Sequence, residues 1–137
     1  MSIEVSTDPS RLDVERIHRW LSEDTYWALG RPLEVVERAI EHSLNFGAYD
    51  DTGEQVAYAR VVTDHATFAW LCDVYVDPAA RGARVGVRLI EAVDAALTGM
   101  QVRRTLLATA DAHGLYARFG FEPMSEPERW MLRTRQS

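Results

Sequence analysis

Residues 71–97, reading LCDVYVDPAARGARVGVRLIEAVDAAL, limit what this chain can fold into more than any other stretch. They open as an apolar strand from Leu71 to Val76 and break at Asp77-Pro78. A small, basic loop comes next, from Ala79 to Gly86. Beyond it Val87, Ile90, Val93 and Leu97 recur at helical spacing. A strand that feeds a helix through a small-residue loop aims the helix's unpaired N–H groups and positive dipole end at one point. That point suits an anion, and Gly82, Ala83 and Gly86 leave the backbone open to it. Arg81 and Arg84 add charge. The pattern predicts a phosphate cradle over residues 81–87, from Arg81 through Val85 and Gly86 to Val87. Plain strand-to-helix packing is the competing reading of the same residues.

Two familiar phosphate loops do not fit. The Walker pattern ends in Gly-Lys-Ser/Thr, and this chain has no lysine. The dinucleotide fingerprint needs three glycines over six positions and a later acidic residue, and the spacing here fails.

At 137 residues, with 47% hydrophobic and 26% charged side chains, the chain reads as one soluble domain over 1–137. No apolar run is long enough for a membrane span, and residues 1–5 lack a signal-peptide pattern, so a cytoplasmic location is expected. The single cysteine, Cys72, sits in the apolar strand and reads as a packed thiol. Net charge is −6, which argues against a nucleic-acid partner. Residues 1–60 carry 12 acids against 6 arginines, whereas residues 61–137 carry 9 against 9. The neutral half therefore suits a local anion site, and the acidic half a cationic substrate.

Along the chain, Ile3 to Ser6 alternates as a first strand, and Asp8-Pro9-Ser10 supplies turn chemistry. Val14, Ile17 and Leu21 mark a helix over 11–21. Pro32 opens a second helix, with Leu33, Val36, Ile40 and Leu44 on one face. Strands at 45–50, 55–63 and 67–76 form an antiparallel meander, its first turn at Asp50-Asp51-Thr52-Gly53. Residues 105–108 make a strand that a helical crossover sets parallel to 67–76. A short helix over 112–119 and a last strand at 130–133 complete the set. In the strand 67–76, alternation puts Asp73 on one face with Leu71 and Tyr75.

A second motif narrows the reading. Residues 109–121 run Thr109-Ala110-Asp111-Ala112-His113-Gly114-Leu115-Tyr116-Ala117-Arg118-Phe119-Gly120-Phe121. They resemble the Asn-x-x-Ala-x-x-Leu-Tyr-x-x-x-Gly-Phe segment of the GCN5-related N-acetyltransferase (GNAT) superfamily, with Thr109 in place of asparagine. The loop resembles that superfamily's Gln/Arg-x-x-Gly-x-Gly/Ala, with Arg81 first, Gly86 last and Arg84 in place of the middle glycine. An arginine there implies an ordinary negative φ. The resemblance covers the whole chain and suggests a small bacterial-type, single-domain member.

What the resemblance implies is an α/β (α+β), three-layer fold. Its central sheet is mixed, mostly antiparallel and twisted, with helices on both sides and parallel strands that splay at the cofactor site. It implies direct attack of a primary amine on the thioester of acetyl-CoA, with no metal. Pantetheine would pair with the backbone at Val74, Tyr75 and Val76, and the 81–87 loop would take the pyrophosphate. Thr109 and His113 would lie near the cofactor, and Arg88, Arg103 or Arg104 would be within reach of the ribose phosphate. Tyr116 aligns with the tyrosine that protonates the leaving thiolate; the alternative is a ring packed under the cofactor. Asp73 reads as a base, an ammonium ligand or a carboxylate bonded at a strand irregularity, with His65 and His113 as reserve bases. Tyr26 and Trp27 fall in the loop that builds the acceptor site, or else cover the core or a dimer face. The family's usual association is a homodimer. A catalytically inactive CoA-binding sensor or interaction module of the same fold is the alternative function.

Overall fold

A computed structural model describes residues 2–82 and 84–135 of the chain. Strand β1 (Glu4–Ser6) leads into one 3-10 turn at Pro9–Arg11, capped by Asp8. Helix α1 (Val14–Asp24) starts later than its apolar stripe suggests. The Asp13 carboxylate accepts the Arg16 amide at 3.1 Å and fixes the N-cap there. Pro32 lies just outside α2 (Leu33–Glu41), extended as its N-cap rather than within the first turn.

Strands β2 (Leu44–Tyr49), β3 (Gln55–Thr63) and β4 (Phe68–Val76) form the antiparallel meander. Its turns are set by aspartates. Asp50 Oδ1 accepts the Thr52 and Glu54 amides, and Gly53 takes φ +86°. Asp64 accepts the Thr67 hydroxyl and the amides of Thr67, Ala66 and Phe68, which hold its carboxyl well below the usual range. Helix α3 (Val85–Gly99) crosses one face and returns the chain to β5 (Arg104–Leu106), which is parallel to β4 and shorter than predicted. Helix α4 (His113–Ala117) is likewise shorter than the 112–119 expected. The sheet order is β1-β2-β3-β4-β5.

Three layers result. On one face Phe46, Ala57, Val61 and Leu71 pack against Val85, Leu89, Ile90 and Val93 of α3. On the other, Tyr58 and Tyr75 pack against Ile17, Trp20 and Leu21 of α1 and Val36 of α2. Strand β4 thus touches both helical layers and, along its outer edge, β5.

The alternation predicted for β4 fails at one point. Ala69 and Leu71 belong to the α3-side core, yet Val74 and Val76 pack against that same core. One extra residue therefore lies between them. Asp73 has φ +51°, and the β3–β4 pairing slips between Tyr58↔Tyr75 and Arg60↔Cys72. This is a β-bulge. It sends Asp73 and Tyr75 toward α1 and α2 while Leu71 stays on the α3 side, so the three do not share a face.

The last predicted strand does not form either. Pro127–Arg129 is a 3-10 turn, and residues 130–133 join no ladder. Met131 is 97% exposed and Leu132 92%. Apolar alternation makes a segment competent for a sheet, but only a neighbouring strand makes it one.

Candidate active site

Strands β4 and β5 pair over Phe68↔Arg104, Ala69↔Thr105 and Trp70↔Leu106, and then part. β4 runs on to Val76 while the other chain turns away through residues 107–112. The gap is a cleft of about 330 Å³ between β4 and residues 107–112, with Tyr26 and Trp27 at one end and Tyr116 on its wall. At its far end Asp77 N donates to Val56 O of β3 at 2.8 Å. Alternation along an antiparallel strand then turns the Val76 and Val74 backbone groups to the cleft edge. The Val76 carbonyl already accepts from Arg81 Nε at 3.1 Å.

The loop after β4 carries the predicted cradle, apart from Ala83, which lies outside the described residues. Gly82 has φ +94°, a conformation that favours glycine. Gly86 does not need to be glycine for space, since an added Cβ would sit 3.8 Å from Val76 Cγ2, ordinary contact. The expectation for Arg84 is overturned: it has φ +60° and ψ +24°, the left-handed geometry of the glycine it replaces. The turn into α3 demands that conformation, and the Arg88 amide closes on the Arg84 carbonyl at 3.0 Å. Among the described residues no side chain caps this end of α3, which leaves the first-turn amides of Val85, Gly86 and Val87 facing outward. Arg81 leans over the Tyr75 ring at 5.6 Å. The Tyr75 hydroxyl itself turns away, donating to Asp24 at 3.0 Å.

Asp73 sits on the α1–α2 side of the bulge with its side chain 2% exposed. Its Oδ2 accepts from Arg31 Nη1 at 2.8 Å and from Arg60 Nε at 2.9 Å, and its Oδ1 accepts from Trp27 Nε1 at 3.0 Å. Three donors, two from the α1–α2 loop and one from β3, thus converge on one carboxylate. Trp27 stacks edge-on against Tyr26, centroids 5.1 Å apart, and Tyr26 is 73% exposed. Asp73 therefore fastens the aromatic wall of the cleft to the sheet.

Tyr116 is buried against Phe121, ring centroids 5.9 Å apart. Burial raises its phenol above the ordinary value, and the Asp111 charge adds to this. Thr109 Oγ1 accepts the Ala112 amide at 3.0 Å and so orders the approach to α4, a backbone role an asparagine could also fill. His113 is the first residue of α4, exposed, and shares with Thr109 and Tyr116 a second groove behind the cleft.

Other candidates lie elsewhere. His65 is at the β3–β4 turn, its Nδ1 3.2 Å from Met100 Sδ. Arg88 donates to the Ile3 carbonyl at 3.2 Å, and Arg104 faces the Trp130 ring at 5.5 Å. Burial pushes the Cys72 thiol up to about 11, in keeping with a packed thiol on the cleft wall. Sequence reasoning missed Arg31, Arg60, Trp70 and Asp111. Arg60 carried a signal, being a lone charge in an apolar strand beside the strand that holds the other lone charge, Asp73.

Residues 14–121 match the acetyltransferase (GNAT) family model. An acetyltransferase-like protein of Gibberella zeae is 34% identical over 133 residues, 83% of this chain and 75% of that one. Serotonin N-acetyltransferase 2, chloroplastic, of Oryza sativa subsp. japonica is 34% identical over 96 residues, 66% of this chain and 48% of that protein. A crystal structure of a protein assigned to the GNAT family in Xanthomonas campestris superposes with TM-score 0.92 at 52% identity, covering 98% of this chain and 94% of that one.

Proposed function

Because the chain belongs to the GNAT acetyltransferase family, we propose that it acetylates a primary amine that has a flat, apolar body, with acetyl-CoA as donor. The observation that carries this reading is the parting of β4 from β5 beside Tyr116. A strand edge left open between two parallel strands accepts an extended amide-bearing arm by strand addition. The Val74 and Val76 edge fits the arm of acetyl-CoA, although its Val76 carbonyl must exchange its bond to Arg81 Nε. The uncapped amides of Val85, Gly86 and Val87, with Gly82, Arg81 and Arg84 beside them, fit its pyrophosphate.

Bound acetyl-CoA supplies an activated thioester carbonyl. The rest is done by side chains. Tyr116 Oη delivers a proton to the sulfur that leaves as the amine nitrogen bonds to the acyl carbon, and it regains one through water from that nitrogen, which sheds its proton. The raised pKa of the phenol keeps its proton in place at neutral pH. Tyr26, Trp27 and Trp70 line the cleft with aromatic faces, which suit a cationic or flat apolar body. The exposed Asp111 carboxylate, also on the cleft, attracts the ammonium. Asp73 acts by holding Trp27 and Arg31 rather than by taking the proton, because its lone pairs are already committed to three donors. The similarity to an enzyme named for an aromatic amine supports an aromatic acceptor.

Thermal unfolding with acetyl-CoA, against adenosine diphosphate, tests the donor site. At 100 times its dissociation constant a ligand adds about 2.7 kcal/mol, a shift of several degrees. Thiol release should then be faster with tryptamine than with putrescine. Binding of acetyl-CoA with no thiol release from any amine would favour the inactive sensor, and no thermal shift would remove the donor site.

A further inference from the structure

Arg81 already holds a backbone group that an incoming strand-like arm would use. Val76 stands opposite Ala57, and the neighbouring Asp77 amide takes the Val56 carbonyl at 2.8 Å. Val76 is therefore a non-hydrogen-bonded position of the β3–β4 ladder, and its own amide and carbonyl both turn to the cleft. Arg81 Nε donates to that carbonyl at 3.1 Å from five positions further along the chain. Its guanidinium carbon lies 5.6 Å from the centre of the Tyr75 ring. The ring is a fixed shelf. It is 6% exposed, packs on Trp20 with centroids 5.4 Å apart, and is tied through its hydroxyl to Asp24 at 3.0 Å. Arg81 thus lies back along the end of β4, on the edge where an added arm pairs.

The hold on Val76 is weak. Arg81 is exposed, and among the described residues no carboxylate pairs with it. Its hydrogen bond is made by Nε alone, to a neutral acceptor. Gly82 follows with φ +94°, so Arg81 also stands at the entrance to the loop that fits a pyrophosphate. A phosphate oxygen is the stronger partner, because a hydrogen bond between two charged groups is roughly twice as strong as one to a neutral carbonyl. One guanidinium therefore has two claims on it, the strand edge and a phosphate.

Resting on the donor site inferred above, we propose that Arg81 makes the site selective for thioester donors that carry a diphosphate, by closing the β4 edge to pantetheine thioesters that lack one. A diphosphate draws the guanidinium off Val76 and frees the carbonyl as the arm arrives. An arm without phosphates must push the same guanidinium into water and gives it nothing in return. Arg81 then discriminates from both directions. An arginine that only gripped phosphate would leave the affinity of the short donor untouched.

Isothermal titration of the full chain with acetyl-CoA and with S-acetylpantetheine tests this without reference to turnover. Arg81→Met keeps the stem on the Tyr75 ring and removes both the hydrogen bond and the charge; Arg81→Ala is the second variant. Loss of one exposed hydrogen bond should tighten S-acetylpantetheine by about threefold. Acetyl-CoA should weaken by about threefold, because the charged bond it loses is roughly twice as strong as the neutral one it no longer has to break. An S-acetylpantetheine Kd that is unchanged, rises or stays too weak to measure in both variants overturns the proposal. So does an equal gain for the two donors, which would mean that the diphosphate does not recruit Arg81. Wild-type protein that binds neither donor would remove the donor site itself, and this inference with it.

Discussion

Trp27 Nε1 donates to Asp73 Oδ1 at 3.0 Å across 46 positions of sequence, and this bond holds the aromatic wall of the cleft against the centre of the sheet. The carboxylate oxygen beside it carries Arg31 and Arg60, whose side chains are 22% and 12% exposed. Asp73→Asn would leave two largely buried guanidinium groups sharing a neutral partner. Breaking a buried pair costs about 3–5 kcal/mol, and the partial exposure of the arginines lowers the expectation to about 2–3 kcal/mol. In steady-state kinetics KM for the amine should rise at least tenfold while KM for acetyl-CoA and the shape of the pH profile hold. A profile that loses its lower limb would instead make Asp73 the base.

Arg84 occupies left-handed backbone without being glycine, a conformation that costs roughly 1–2 kcal/mol. Arg84→Ala keeps that strain and removes the guanidinium, whereas Arg84→Gly removes both. The glycine variant should therefore melt several degrees above the alanine variant in differential scanning calorimetry. Acetyl-CoA affinity should fall about equally in the two, by about threefold to tenfold, if the guanidinium rather than the backbone contacts the donor.

The meander and the α3 crossover were legible because they rest on local signals: aspartate turns, period-two apolar runs and one long helical stripe. The loop was legible as a place but not as a conformation, because nothing in Arg84 itself announces a positive φ. Nor could alternation alone reveal the bulge at Asp73, which exists because Trp27, Arg31 and Arg60 converge on one carboxylate from separate segments. Asp73 and Arg60 were nonetheless each anomalous in an apolar strand, and two opposite anomalies in adjacent strands are a pairing signal. The tail read as a strand because its composition is that of one; a strand's partner is a property of the fold or the assembly, which one chain's sequence does not state.

Gly82 and Gly86 should respond differently to alanine. Gly82→Ala forces a Cβ into φ +94° and should lower stability by about 1–2 kcal/mol. Gly86→Ala meets only Val76 Cγ2 at 3.8 Å and gains helix propensity, so its melting temperature should hold or rise. If the first-turn amides approach a phosphate, that same methyl group should weaken acetyl-CoA binding, as isothermal titration would show. Unchanged affinity in a well-folded Gly86→Ala would move the phosphate away from this turn.

Tyr116 offers the most direct test of the chemistry. Its phenol is raised first by burial and then by the Asp111 charge, both of which disfavour the phenolate. The proton that catalysis needs is thus present at all pH values below the raised pKa and is lost only above it. A free alkylamine, in contrast, becomes reactive as pH rises toward its own pKa of about 10. kcat/KM should consequently climb from pH 6 to pH 9 with no descending limb in that range. Asp111→Asn removes the lesser of the two causes and should shift any descending limb to lower pH. Tyr116→Phe should cut turnover by at least tenfold at every pH, with acetyl-CoA affinity nearly unchanged. Turnover that survives the loss of the hydroxyl would assign the ring to packing under the donor and the proton to water.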